Sequence, residues 1–62
     1  MTLKELKNEM GKYLLSHHFS KIKFSENVTH WEQKGRNEKR KADKYYVYLK
    51  DNTKIIVYVF DE

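Results

Sequence analysis

The chain has 62 residues, no cysteine and no proline, and its 13 Lys and Arg residues outnumber its 9 Asp and Glu residues to give a net charge of +4. This length supports one small domain, residues 1–62, near the lower limit for chains that fold without disulfides or metal. The composition excludes a disulfide framework and a thiolate metal site, and no apolar stretch approaches the ~18 residues of a membrane-spanning helix.

The start of the chain, MTLKELKNEMGKY, is charged throughout and lacks the apolar region of a secretory signal peptide. The absence of cysteine fits a reducing compartment. We therefore expect a cytoplasmic protein that does not bind membranes. A compact, basic chain of this size and composition would suit a small bacterial or phage protein.

The first predicted element is a helix over residues 2–18. Thr2 and Glu5 have capping-box spacing, in which each side chain accepts a hydrogen bond from the backbone amide of the other. Apolar, aromatic and histidine residues then recur every three or four positions and predict one helical stripe: Leu3, Leu6, Met10, Tyr13, Leu14 and His17. Gly11 lies inside this pattern and costs a helix roughly 1 kcal/mol relative to alanine.

After Ser20 the side-chain period changes from that of a helix to that of a strand. Residues 21–24 alternate with period two and residues 28–32 do so less regularly, which predicts a strand over 21–32. Residues 25–27 form either a bulge in one bent strand or a turn between two short strands, and we favour the bulge. Because a bulge reverses side-chain parity, the pattern leaves open which sheet face Trp31 joins.

Residues 33–43 are polar and aperiodic, which predicts an exposed loop whose order the sequence leaves open. The overlapping basic segment, residues 34–44, contains six of the basic residues and two of the acidic ones, so it accounts for the whole net charge of +4. Clustered charge of this kind creates a local positive field that attracts phosphates. The candidate nucleic-acid-binding residues are Lys34, Arg36, Lys39, Arg40, Lys41 and Lys44.

The last part of the chain predicts a β-hairpin with strands over 44–50 and 53–60. Its polar centre suits a three-residue loop that ends with Asn52 in the left-handed conformation, and this loop sets Leu49 opposite Thr53. A two-residue loop of Asp51 and Asn52 is the alternative, and it would give a different register.

In the three-residue register the side chains separate into two sets. The aliphatic face carries Tyr45, Val47, Leu49, Ile55, Val57 and Val59. The aromatic face carries the candidate interface or stacking residues Tyr46, Tyr48, Ile56, Tyr58 and Phe60.

These elements together predict an α+β fold in which one N-terminal amphipathic helix packs on a three-stranded antiparallel β-meander. The helix would cover the aliphatic face and leave the aromatic face to another molecule. The last strand would lie at a sheet edge, where it could pair with a partner strand.

The uncovered aromatic face favours a small non-enzymatic binding or regulatory module that acts through protein–protein interaction or self-association. We expect a homodimer or a protein partner, because a second copy would supply the core that so short a chain lacks. The alternative is a nucleic-acid-binding protein, with the basic segment on phosphates and the aromatic residues on bases. No recognised nucleic-acid-binding motif is present, and the choice between DNA and RNA stays open.

Catalysis and metal binding have little support in the sequence. His30 and Glu32 share one face of a strand, and His17 and His18 lie near the predicted helix end, but nothing positions a nucleophile or an oxyanion site. Three histidines without cysteine fall short of a structural zinc set. We therefore expect no enzyme activity, no catalytic, cofactor-binding or metal-binding residues, and no small-molecule substrate.

Overall fold

The computed structural model describes residues 1–61, and Glu62, the last residue of the predicted domain, lies outside the described part. The elements are α1 (Leu3–Lys7), β1 (Tyr13–Leu14), α2 (Ser16–Lys23), β2 (Val28–Asn37), β3 (Ala42–Leu49) and β4 (Lys54–Phe60). The strands form one mixed sheet in the order β1-β4-β3-β2, with β1 parallel to β4 and the other pairs antiparallel. The general α+β prediction is confirmed, but the three-stranded meander is wrong in detail because a parallel strand extends it.

The predicted single helix over residues 2–18 is wrong, because α1 ends at Lys7. Its capping box is present: the Thr2 N–H donates to the Glu5 carboxylate at 2.9 Å, and the Glu5 N–H donates to the Thr2 hydroxyl at 3.2 Å. The chain then turns through Gly11, whose φ of +76° is accessible to glycine at little cost. The unfavourable free energy of Gly11 within a helix was therefore the local indication that the predicted helix breaks here.

Backbone pairing with β4 explains why residues 11–14 leave the helix. The Gly11 N–H donates to the Ile56 carbonyl at 2.5 Å, and the Tyr58 N–H donates to the Lys12 carbonyl at 2.9 Å. A continuous helix would use the polar groups of residues 11–14 internally and leave this side of β4 unpaired. The predicted edge position of the last strand is also wrong, because β4 lies between β1 and β3.

The predicted strand over residues 21–32 is wrong in its first part, where the chain forms the end of α2. Phe19 and Ile22 lie three positions apart on this helix and are both buried against the sheet. Period-two alternation would have grouped Ile22 with Phe24, whereas the helix leaves Phe24 76% exposed. The helix is thus favoured because it buries Phe19 beside Ile22 and removes the aliphatic face of the sheet from water.

The predicted loop over residues 33–43 is mostly paired strand. β2 continues to Asn37 and β3 begins at Ala42, so a short turn over residues 38–41 replaces the long loop. β2 lies at one edge of the sheet, and shifts in its pairing with β3 lie between Val28 and His30 and between Gln33 and Gly35. Polar residues suit such an edge because their side chains meet solvent.

The structure also places Trp31, whose sheet face the sequence left open. Trp31 pairs with Val47, so it lies on the aliphatic face, where it is 38% exposed. Lys23 of α2 extends over it, with its ammonium nitrogen 5.8 Å from the ring centroid.

The β3–β4 hairpin has the predicted three-residue loop. The Leu49 N–H donates to the Thr53 carbonyl at 2.9 Å, and Asn52 has a φ of +66°. The predicted division between the two faces is therefore confirmed. The aliphatic face is buried against residues from α1, β1 and α2, and this core contains Leu6, Leu14, Phe19, Ile22, Val47, Leu49, Ile55, Val57 and Val59, with Tyr45 packed against it.

Arg36 joins the β2–β3 hairpin to the end of the chain. Its guanidinium group donates to Glu38 at 3.1 Å and to Asp43 at 2.9 Å, and it forms a two-pronged contact with Asp61. The guanidinium group holds the pKa of the Asp61 carboxyl below its usual value, chiefly through these hydrogen bonds. The arrangement fixes the residues after β4 against the hairpin of β2 and β3.

Replacing Asn52 tests the turn that sets the sheet register. We expect Asn52→Ala to lower the free energy of unfolding by about 1 kcal/mol, because asparagine tolerates the left-handed conformation better than alanine does. Asn52→Gly should change it little, since glycine adopts that conformation readily. Urea unfolding followed by Trp31 fluorescence measures both values. Equal losses in the two variants would show that the asparagine side chain, not the backbone conformation, supports the turn.

The ion pair between α1 and the β3–β4 loop predicts a specific pH dependence. Lys7 contacts Asp51 at 2.5 Å, and this hydrogen bond, with a further one from Thr53, lowers the pKa of Asp51 from 3.8 to about 2. A carboxyl whose pKa is lower in the folded state stabilises the fold above pH 3.8, and this contribution disappears as the pH falls through about 2. Between these pH values, wild type should therefore lose more stability than Asp51→Asn.

Urea unfolding at several pH values across this window measures the difference between the two proteins. Lys7→Gln should reduce the acid-induced loss in the same direction, because it removes the first cause of the lowered pKa. Lys4→Gln is the matched control, since Lys4 makes no ion pair within residues 1–61. An identical pH dependence in wild type and Asp51→Asn would contradict the prediction.

Candidate functional site

The aromatic face is the side of the sheet that α2 does not cover. Pairing of Tyr46 with Ile56 and of the neighbouring residues along β3 and β4 sets the predicted side chains on this side. All of them are half-buried, packed beside one another in the surface of the sheet: Tyr46, Tyr48, Ile56, Tyr58 and Phe60. The hairpin register therefore predicted correctly that these five side chains share one face.

Two further rings lie on this face that the sequence did not assign to it. Tyr13 of β1 stacks on Tyr58, with ring centroids 4.6 Å apart and an interplanar angle of 13°, and its centroid lies 5.5 Å from that of Phe60. His30 of β2 stacks near Tyr48 with a centroid separation of 5.6 Å. Tyr13 was missed because it was placed in the helix, and His30 because the strand parity was open.

Cationic side chains lie over the rings of the aromatic face. The Arg40 guanidinium carbon is 5.0 Å from the Tyr13 ring centroid. The ammonium nitrogens of Lys54 and Lys44 are 4.3 Å and 5.5 Å from the Tyr46 ring centroid. Contacts at these distances are cation–π interactions. They hold the positive charge over the ring, and the charged group stays accessible to solvent. Lys54 lies outside the basic segment, so charge clustering in the sequence gave no signal for it.

The structure divides the predicted basic residues among different positions. Arg40 and Lys44 lie on the aromatic face, and Lys39 and Lys41 are exposed in the turn over residues 38–41. Arg36 pairs with Asp43, whose own partner Val59 is buried, and this register directs the guanidinium group to the opposite side of the sheet. There it is compensated by three carboxylates, as described above.

Lys34 lies at the β2 edge of the aromatic face and is compensated by one carboxylate. Its ammonium group is 2.8 Å from Glu32, and His30 contacts the same carboxylate at 3.1 Å. The hydrogen bond from Lys34, followed by that from His30, lowers the pKa of Glu32, and the pKa of Lys34 is raised in turn. Both groups therefore stay ionised at neutral pH.

The balance of charge on the aromatic face is positive. Within residues 1–61, the ion pairs do not include Lys44, Lys54 or Arg40, whereas the one carboxylate on this face, Glu32, is already paired with Lys34. The face thus combines aromatic rings with three cations that no carboxylate neutralises.

The residues considered for catalysis do not meet in one place. His30 contacts Glu32, whereas His18 lies 3.6 Å from Glu9 on another part of the molecule, and His17 is exposed on α2. Among the described residues, no group of three His, Asp or Glu side chains is arranged to hold a metal ion. Neither α1 nor α2 is long and apolar enough to cross a membrane.

No protein-family model matches this chain, and no curated protein or solved structure shows significant similarity to it.

Proposed function

We propose that the aromatic face binds single-stranded nucleic acid. The observation that carries this proposal is the placement of uncompensated cations over aromatic rings on a sheet face that α2 leaves uncovered: Arg40 on Tyr13, and Lys44 and Lys54 on Tyr46. Single strands require both components, because bases stack on rings while the backbone phosphates need positive charge.

The rings supply the sequence-independent part of the attraction. Stacking of a base on an aromatic side chain contributes about 1–3 kcal/mol, and it tolerates any base because each has a π-face. The stacked pair of Tyr13 and Tyr58 lies toward one end of the face, Tyr46 near its middle, and Tyr48 beside His30 at the other end. β3 spans eight residues, or roughly 26 Å at about 3.3 Å per residue. This length suits about four nucleotides, the lower end of the usual range for one small sheet domain.

The lysines supply the electrostatic part. Lys44 and Lys54 flank the Tyr46 ring and extend from neighbouring strands, so their ammonium groups can reach phosphates on either side of a base stacked there. Each phosphate contact releases counterions and makes binding weaken as salt rises. Arg40 has the same role at the Tyr13 end and can also stack on a base through its planar guanidinium group.

Protein–protein interaction or self-association through the same face is the second candidate function. The observation in its favour is that several large side chains occupy a face that α2 does not cover. Two copies packed face to face would, however, bring Arg40, Lys44 and Lys54 of one copy toward the same cations of the other. Pairing through the β2 edge is opposed by the two register shifts, which interrupt the regular row of backbone groups that a partner strand requires.

The salt dependence of binding tests the electrostatic part of the proposal. Lys44→Gln with Lys54→Gln should weaken binding to a random single-stranded oligonucleotide and reduce the slope of log affinity against log salt by about 1.4, at about 0.7 per phosphate contact. Fluorescence anisotropy with a labelled oligonucleotide across a salt series gives the slope. Lys4→Gln with Lys21→Gln is the matched control, because both residues are exposed on helices and the net charge changes equally.

The control double variant should keep the wild-type slope. Equal reductions in the two double variants would mean that net charge alone drives binding, and the aromatic face would lose its assigned role. An absence of binding by wild type even at low salt would remove the proposed function.

The oligomeric state separates the two candidate functions. We expect light scattering to give the monomer mass of 7.6 kDa at both low and high salt, because the cations on the aromatic face oppose self-association. A dimer that grows stronger as salt screens this repulsion would favour self-association instead. In that case Tyr48→Ser with Tyr58→Ser should restore the monomer, whereas the same change at the exposed Phe24, which lies off the aromatic face, should not.

A further inference from the structure

His30 lies on the aromatic face in a position that is open to a ligand. Its ring stacks near Tyr48 with centroids 5.6 Å apart, and its side chain is 58% exposed. It also lines a cavity of about 310 Å³, together with Tyr48 and residues at the β3–β4 loop. Part of a bound strand therefore has space beside the imidazole ring.

The contact with Glu32 decides which ring nitrogen of neutral His30 carries the proton. The Nε2 atom is 3.1 Å from the Glu32 carboxylate, and it is the only atom of the ring that forms a hydrogen bond within residues 1–61. Glu32 is ionised at neutral pH, as described above, and an ionised carboxylate can only accept hydrogen bonds. The proton of the neutral imidazole is therefore assigned to Nε2, and Nδ1 carries a lone pair.

A second proton would change what Nδ1 can bind. It would convert this nitrogen from an acceptor into a donor and give the ring a positive charge. A phosphate oxygen is a negatively charged acceptor, so it is opposed by the lone pair of the neutral ring and matched by the N–H of the protonated ring. Histidine side chains ordinarily change charge between about pH 8 and about pH 5.

The charges around His30 do not cancel this additional one. Charged and titratable groups around the ring and its cavity lie on β2, β3, β4 and the β3–β4 loop: Glu32, Lys34, Tyr48, Lys54 and Asp51. Glu32 is already paired with Lys34 at 2.8 Å, and Asp51 is paired with Lys7. Protonation of His30 therefore adds a positive charge that only an already paired carboxylate offsets.

We infer that protonated His30 binds a phosphate of the nucleic-acid strand through Nδ1, so that the aromatic face binds more tightly as the pH falls. The inference rests on the proposed function and deepens it, because it adds a cation whose charge depends on pH. Arg40 lies at the Tyr13 end of the face, and Lys44 and Lys54 lie over Tyr46. His30 supplies the corresponding contact at the Tyr48 end, where its ring is already held in place.

The test measures the salt dependence of binding to an all-thymine single strand at about pH 8 and about pH 5.5. Thymine and phosphodiester groups do not titrate between these values, so any change comes from the protein. One added phosphate contact should steepen the slope of log affinity against log salt by about 0.7 at the lower pH. Fluorescence anisotropy measures the slope. Proton NMR of the His30 ring should also show that it takes up its proton at a higher pH in the complex than in the free protein.

Two variants remove the titrating group in different ways. His30→Gln keeps a polar side chain and His30→Phe keeps a ring beside Tyr48, and each should give the same slope at the two pH values. Any stacking that His30→Gln loses would weaken binding at both pH values and leave their difference unaffected. His30→Lys should give the steeper slope at both, because lysine stays charged.

His17→Gln is the matched control, because His17 is exposed on α2, which covers the opposite side of the sheet. This variant should keep the wild-type difference between the two slopes. Thermal unfolding curves at both pH values verify that each variant is folded.

The outcomes separate this inference from the proposed function. Equal slopes of wild type at the two pH values, or a difference that persists in both His30→Gln and His30→Phe, would overturn the role of His30 while the aromatic face still binds nucleic acid. Failure of wild type to bind at low salt at either pH would overturn both. Loss of the difference in these two variants and its retention in His17→Gln would support the assignment.

Discussion

Asn52 closes the three-residue loop between β3 and β4, and the register that this loop fixes decides the two faces of the sheet. Side chains alternate along a strand, so a shift of one residue between β3 and β4 would reverse one strand relative to the other, and each face would then mix aliphatic and aromatic residues. In the observed register Leu49 lies opposite Thr53, Val47 and Val57 are buried in the core, and Tyr46 and Tyr58 lie on the other side of the sheet. The core and the candidate site therefore both depend on the register that this one turn sets.

The hairpin could be predicted from the sequence because its signals are local. The loop KDN, the conformational tolerance of Asn52 and the alternation on each side all lie within residues 44–60. The break after α1 could not be predicted in the same way, since its cause is the backbone of β4 more than forty residues later. Gly11 marked the position of the break, but a glycine within an apolar stripe is also compatible with a weak helix. The error carried into the site, because placing Tyr13 on a helix hid its stacking on Tyr58.

Charge clustering in the sequence identified a basic region of the chain. It did not identify which basic residues in the fold lack a carboxylate partner. The sequence treats Arg36 and Arg40 alike, four positions apart in one basic segment. In the fold, strand parity and three acidic neighbours compensate Arg36, while the turn carries Arg40 to the Tyr13 ring. Lys54 shows the reverse, since it lies outside the basic segment and yet makes the shortest of the cation–ring distances on the aromatic face. Which cations matter depends on pairing across the sheet, and composition contains no information about it.

The same pairing explains why an aromatic face can remain accessible on so small a domain. Packed side by side, the half-buried tyrosines cover much of one another's apolar surface, and the ammonium groups of Lys44 and Lys54 lie over the Tyr46 ring. The face therefore exposes less apolar surface than its composition implies. Its cations would also repel those of a second copy. In the proposed function a single strand of nucleic acid would reverse both effects, because its bases would stack on the rings and its phosphates would neutralise the ammonium groups. A partner that supplies planar apolar groups and negative charge together matches this surface better than one that supplies either alone.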